Sequence, residues 1–245
     1  MLRANFNCVA VAFLTCVLLS SIAVAVGDGA NSSISSETIR YNPPARSGDH
    51  VRVDGKSHRG PGKFPNLFFL TPDHVGETVQ EQPTLYWYLS ESTDRKLVVT
   101  ITKDGDADPV LESVLPSTAG IGKLSLAEKN IKLEQDVEYQ VTFALITDEK
   151  NRSDDVCASG IIKRVKPPEA LVARLVARAD PIDRVAAYAK EGIWYDAMTV
   201  ISEQIDGKDT EPATASSMRR QRAELLEQVS LNDVANFDLG TEEKQ

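Results

Sequence analysis

"VEYQVTFAL", residues 137–145, is the stretch on which the fold turns. Val137, Tyr139, Val141, Phe143 and Leu145 fall on one side, and Glu138, Gln140 and Thr142 on the other. A period of two is what a half-buried antiparallel strand requires, because successive side chains point to opposite faces. Working outward, short runs of the same kind lie over 67–70, 84–89, 97–102, 110–115, 122–127 and 156–165. Turn-forming segments such as "KDGDADP" separate them. Seven short strands with no helix among them predict a β-sandwich over residues 64–166.

Two local features narrow that reading. Trp87 sits mid-strand with Leu85 and Leu89 on its own face, where a sandwich needs one large core aromatic. "LEQDVEY" places Leu133 six residues ahead of Tyr139, the layout of a tyrosine corner, in which a tyrosine hydroxyl ties back to the preceding loop. Together they point to an immunoglobulin-like or fibronectin III-like antiparallel sandwich in a mainly β chain.

The periodicity changes after Lys166. Pro167 and Pro168 end the last strand, and Leu171, Leu175 and Val176 recur at helical spacing. Asp180 is placed to cap a helix, with Pro181 at its first position and Asp183 in its first turn. Gly192 supplies the left-handed residue that closes it. Further helices are expected over about 195–205 and 212–229, so the helical tail spans 167–235, and residues 236–245 are expected to be disordered. Within "AYAKEGIWYDAMTVI", residues 187–201, small alanines stand where two helices cross. The stretch reads as one tetratricopeptide-like helical hairpin. Repeat arrays need about three units to be stable alone, so this one must pack on the sandwich or on a partner. Trp194 and Tyr195 at its elbow are therefore either packing residues or an interaction surface. Tyr86 and Tyr88, opposite Trp87 on their strand, are likewise either sugar-stacking aromatics or packing under the tail.

The first 25 residues read as a signal peptide: Arg3, a mostly apolar run from Phe6 to Val24, then Ala23-Val24-Ala25 as a small-x-small cleavage site. A retained membrane anchor is the competing reading of the same run. Cleavage removes Cys8 and Cys16, leaving Cys157 without an internal disulfide partner. The chain carries 27 basic and 36 acidic residues, a net charge of −9. That balance disfavours nucleic acid and anionic lipid, whose phosphates need a basic surface. Residues 26–63 form a Gly- and Pro-rich arm with local positive charge at Arg40, Arg46, Arg52, Lys56, Arg59 and Lys63. Such an arm folds back on its own acidic body or meets a partner.

Recognisable chemistry is sparse. His50, His58 and His74 have no serine, cysteine or carboxylate around them at nucleophile–base spacing. There is no phosphate loop, dinucleotide fingerprint or zinc spacing. Asp104, Asp106 and Asp108 open like a calcium loop, but Pro109 and Leu115 stand where such a loop needs Gly and Glu. That segment, and the Asp148, Glu149, Asp154 and Asp155 cluster, read as hairpin turns. Cys157 reads as a small buried hydrophobe. No catalytic, cofactor or metal residue is assigned.

The chain resembles a bacterial family catalogued as domain of unknown function 928. The likeness runs over about residues 39–235, through "IRYNPPARSGD", "RGPGKFPNLFFLTP", "EQPTLYWYL", "TAGIGKLSLA", "LEQDVEYQVTFALI", "NRSDDVCASGIIKRV" and "YAKEGIWYDAMTVI". The resemblance implies an exported cell-envelope protein and no activity. It also implies a cysteine pair in many members, where this chain has Pro61 to Lys63 and Thr147. The arm would then be held by contacts alone and be more open to proteases than the sandwich.

These readings converge on a periplasmic or secreted, non-enzymatic adaptor with a protein partner, its signal segment meeting the membrane only during export. A carbohydrate- or cell-wall-binding module is the alternative, and a hydrolase or transferase with an unrecognised site comes third.

Overall fold

The computed structural model describes residues 39–44, 51–56, 64–177 and 180–240. The signal segment, its cleavage site, His50, His58 and the last five residues lie outside the described residues. Eight strands come first: β1 (Leu67–Phe69), β2 (Gly76–Thr78), β3 (Thr84–Leu89), β4 (Leu97–Lys103), β5 (Leu111–Leu115), β6 (Gly120–Ser125), β7 (Glu138–Leu145) and β8 (Val156–Arg164). Five helices follow: α1 (Glu169–Ala177), α2 (Pro181–Lys190), α3 (Trp194–Asp206), α4 (Pro212–Gln228) and α5 (Asn232–Gly240).

The strands make two mostly antiparallel sheets, ordered β1-β3-β6 and β2-β8-β7-β4-β5. β7 is the strand read first, and its alternation holds. Val141, Phe143 and Leu145 are fully buried, while Gln140 faces solvent. Trp87 and Phe69 of the small sheet pack on Phe143 of the large one, with ring centroids 5.5 and 5.2 Å apart. The inner faces therefore share a core, and the β part is sandwich-like. Gly122 lies opposite Trp87 on β6, where a Cβ would come within 2.3 Å of the indole. Only a residue without a side chain lets the ring lie across that strand. The Tyr139 hydroxyl accepts from the Glu134 backbone N–H at 3.1 Å, as its spacing from Leu133 predicts.

Three expectations need correction. The sheets are not purely antiparallel, because β2 runs parallel to β8. Residues 236–240 are not disordered but continue α5, whose Phe237 packs on Tyr88 at 5.0 Å. The boundaries drawn at 63/64 and 166/167 do not separate cores. One cluster of buried side chains runs from Ile39 and Tyr41 through both sheets to Val234 and Ala235. The cause is β3, whose Leu85, Trp87 and Leu89 face the large sheet while Tyr86 and Tyr88 face the helices. The small sheet is thus a middle layer, covered on both sides.

The arm is part of this body in its described stretches. Tyr41 N–H donates to Gln228 Oε1 at 2.8 Å, and Gln228 Nε2 donates to the Ile39 carbonyl at 2.8 Å. Asn42 N–H donates to the Ala189 carbonyl at 3.0 Å, a second donor to a carbonyl at the end of α2 that also accepts from the Gly192 N–H. Arg52 Nη1 donates to the carbonyls of Thr71, at 3.1 Å, and Val229, at 2.7 Å, joining the sheets to the end of α4. A cation is well placed at a helix C-terminus, where free carbonyls gather.

Candidate interaction surface

The four aromatics singled out in the sequence are all interior. Trp194 is 0% exposed, Tyr195 1%, Tyr86 3% and Tyr88 8%, so none is an interaction surface in the folded chain. The elbow places the first two. Gly192 takes φ +77°, and the Ile193 N–H returns to the Tyr188 carbonyl at 3.0 Å, turning the chain directly into α3. A Cβ on Gly192 would also meet the Asn42 carbonyl of the arm at 2.9 Å. Trp194 Nε1 then donates to the Leu70 carbonyl at 2.9 Å, and the Tyr195 hydroxyl lies 2.7 Å from Thr71 Oγ1 and donates to the Ile161 carbonyl at 3.3 Å. Burial pushes the Tyr195 phenol up and the Tyr86 phenol up to about 12. Tyr86 and Tyr88 serve the packing role, beneath α3 and α5. Sugar stacking on them is closed off.

Sequence reasoning missed two buried polar groups in the helical layer. Asp196 Oδ2 accepts from Thr78 Oγ1 at 2.7 Å and from the Val79 N–H at 3.2 Å, joining α3 to β2. Burial pushes its carboxyl up to about 6. The local pattern gives little signal, because Asp196 shares its helix face with Thr199 and Glu203 as well as Val200. Arg222 makes a bidentate pair with Asp238, Nε to Oδ2 at 2.7 Å and Nη2 to Oδ1 at 2.6 Å, and donates to Ser202 Oγ at 3.0 Å. Nothing in the pattern marks that pair, because both residues sit on helices that read as charged and exposed.

What remains open is the outer face of the five-stranded sheet. Register places its side chains in rows. One row is Val114, Val98, Ala144 and Cys157. The next is Glu112, Thr100, Thr142 and Ser159, extended by the bridge to Val53 of the arm. A third holds Thr102, Gln140 and Ile161, with Val110 leading into it from the start of β5. Glu112 is the one charged residue in these three rows. Charge returns in the fourth, where Lys163 pairs with Glu138 at 3.2 Å and has Glu77 on its other side. Val114 is 64% exposed and Val53 53%. Among the described residues the helices pack chiefly on β2 and on the small sheet, through β3 and β6.

A groove of about 350 Å³ ends the face, lined by Thr102, Lys103, Asp104, Asp106, Glu138 and Gln140 among others. Its carboxylates belong to the β4–β5 turn and the start of β7. Among the described residues no three His, Cys, Asp or Glu side chains gather as a metal site would require. His74 is stacked on Tyr41, its Nε2 3.3 Å from the Tyr41 hydroxyl. Cys157 is half-buried, and burial, with Asp155 nearby, pushes its thiol up, away from the reactive thiolate. No described helix is long and apolar enough to cross a membrane.

The chain belongs to the family described as Domain of Unknown Function (DUF928), whose model matches residues 54–239. No curated protein matches it. The matched span opens in the arm at Asp54 and closes in α5, so it takes in both sheets and all five helices. The matched span thus holds the shared core apart from Ile39 and Tyr41 of the arm.

Proposed function

We propose that this DUF928 protein is an exported, non-enzymatic interaction module of the cell envelope that docks a protein partner on the outer face of its five-stranded sheet. The observation that carries the reading is the contrast between that face and the rest of the molecule. The chain is 26% charged with a net charge of −9, yet three rows across four strands hold one carboxylate and otherwise Val, Thr, Ser, Ala, Cys, Gln and Ile. Interface cores are depleted in charge in this way, whereas a sheet face meant only for water is polar. The partner surface is correspondingly uncharged, because there is nothing on the face for a strong charge to pair with. The export half of the reading rests on the leader sequence.

The strand order supports the finer fold reading. Taken as A, B and E against C′, C, F and G, β1-β3-β6 and β5-β4-β7-β8 have an immunoglobulin-like or fibronectin III-like arrangement, with β2 added beside the last strand. Tyr139 stands at the expected corner of strand F, although the core tryptophan is on β3 rather than on β4. The α2–α3 pair is the tetratricopeptide-like hairpin.

Crosslinking in intact cells tests the function. The wild-type chain is compared with Thr142→Arg, which puts charge at the centre of the face, and with Val176→Arg, on an 85% exposed site of α1. The expected result is a discrete protein adduct that survives high salt, is lost in Thr142→Arg and is kept in Val176→Arg. The chain in the adduct should begin at Val26. An adduct unaffected by Thr142→Arg refutes the docking face, and a chain retaining its first 25 residues refutes the cleaved leader.

A further inference from the structure

Asp196 is the third residue of α3 and is 3% exposed. Its Oδ2 holds Thr78 and Val79, while its Oδ1 has no hydrogen-bond partner of good geometry among the described residues. The Gln80 amide approaches the carboxyl and also favours its charged form. The surrounding cations are engaged elsewhere. Lys163 pairs with Glu138 on the opposite face of the sheet, and Arg164 donates to the Leu133 carbonyl beside Glu81. Arg184 on α2 lies close enough to the Tyr188 hydroxyl to favour its charged form, and Tyr188 feels the Asp196 charge. Glu77, next to Thr78 on β2, lies on the outer face with Lys163. Tyr195 precedes Asp196 on α3, and its hydroxyl is turned to Thr71 and Ile161. A carboxylate in this position is desolvated and half satisfied, and among the described residues it forms no ion pair.

We propose that Asp196 is an acid-strengthened latch between the helical layer and the β2 edge of the large sheet, tightest when its carboxyl is protonated and loosened when it is charged. Burial raises this carboxyl from an ordinary 3.8 to about 6. The folded protein therefore holds the proton more tightly than the opened one. Between those two values it binds more protons, so stability falls as pH rises. The contribution is full below the unfolded value and is lost as pH rises through about 6. The segment the latch holds is the first turn of α3, with Trp194 and Tyr195. Loosening it uncovers the two aromatics that the closed form hides.

Hydrogen exchange on the full chain tests this, with amide protection in the first turn of α3 and at Val79 compared at pH 5 and pH 8 after correction for intrinsic rates. Protection should be about tenfold lower at pH 8. Asp196→Asn keeps the shape and an acceptor for Thr78, and should abolish the difference. The carboxyl carbon of Asp196, followed by NMR in the wild type, should titrate near 6, and Thr78→Val should move it higher by removing a donor to the charged form. Equal protection at the two pH values, a midpoint below about 4.5, or a pH difference that survives Asp196→Asn overturns the latch. If Asp196→Asn does not fold, the wild-type titration decides alone.

Discussion

Ending the chain at Lys166 should leave a sandwich that does not fold. Removing the helices uncovers one whole face of the small sheet, with Phe68, Tyr86 and Tyr88, all buried in the intact protein. Full burial of such side chains is worth about 1.5–3 kcal/mol each, so the three together account for about 5–9 kcal/mol. That is an upper estimate, because an unfolded chain already hides some apolar surface. Polar links to the β part go as well, among them the Trp194 indole to the Leu70 carbonyl, the Tyr195 hydroxyl to the Ile161 carbonyl, and Asp196 to Thr78. A whole domain is typically stable by about 5–15 kcal/mol, so the loss is comparable to everything available. Urea unfolding of residues 39–166 and of the full chain, followed by far-ultraviolet circular dichroism and proton NMR dispersion, reads the outcome. The truncated chain should show poor dispersion and no cooperative transition. A single sharp transition near the midpoint of the full chain would refute the three-layer argument and restore the sandwich as an independent domain.

Four further outcomes follow from particular contacts. Gly122→Ala places a methyl against the Trp87 indole and should cost about 1–3 kcal/mol by overpacking, seen as a lower urea midpoint. Asp238→Asn leaves Arg222 buried against a neutral partner and should cost about 3–5 kcal/mol, whereas replacing both residues by apolar ones of similar size should cost far less, as a double-mutant cycle would show. Tyr139→Phe removes the bond to the Glu134 N–H and should lower stability by about 1 kcal/mol in the same unfolding assay. In limited proteolysis, cuts within 39–44 and 51–56 should appear only when the sheets are also cut, and Arg52→Ala should release the second stretch first.

Much of the β part was legible because its signals are local. The alternation over residues 137–145, the corner at Tyr139 and the aromatic at Trp87 each sit within one strand or one turn. The start and end of α2 were legible for the same reason. The Asp180 side chain accepts from the Ile182 N–H at 2.8 Å, and Gly192 closes α2 with a positive φ, both as their residue types require. β2 was not legible. "GET" has no apolar alternation, and it becomes a strand only by lying parallel to β8, a pairing set far along the chain. Tyr86 and Tyr88 allowed two readings because a strand in isolation does not say what covers its second face. The unbroken apolar run "LYWYL" was the clue, since a half-exposed strand alternates and a fully covered one does not. The arm concealed Ile39, Tyr41 and Arg52 behind a Gly-, Pro- and charge-rich composition, which reports average character rather than the few residues that are held.

The Gln228 amide has a consequence for how the molecule is completed. It grips the backbone of Ile39 and Tyr41 across sequence separations of 189 and 187 residues, nearly the whole described length. Contacts between such distant residues are slow to form, because the intervening chain must already be arranged before they return any free energy. A chain emerging from its amino end can assemble strands as they appear, but the grip of Gln228 on Ile39 and Tyr41 must wait until α4 has arrived. Loss of a few residues at either margin of the fold should therefore be felt at both. The molecule closes like a belt, and its buckle is among the last parts made.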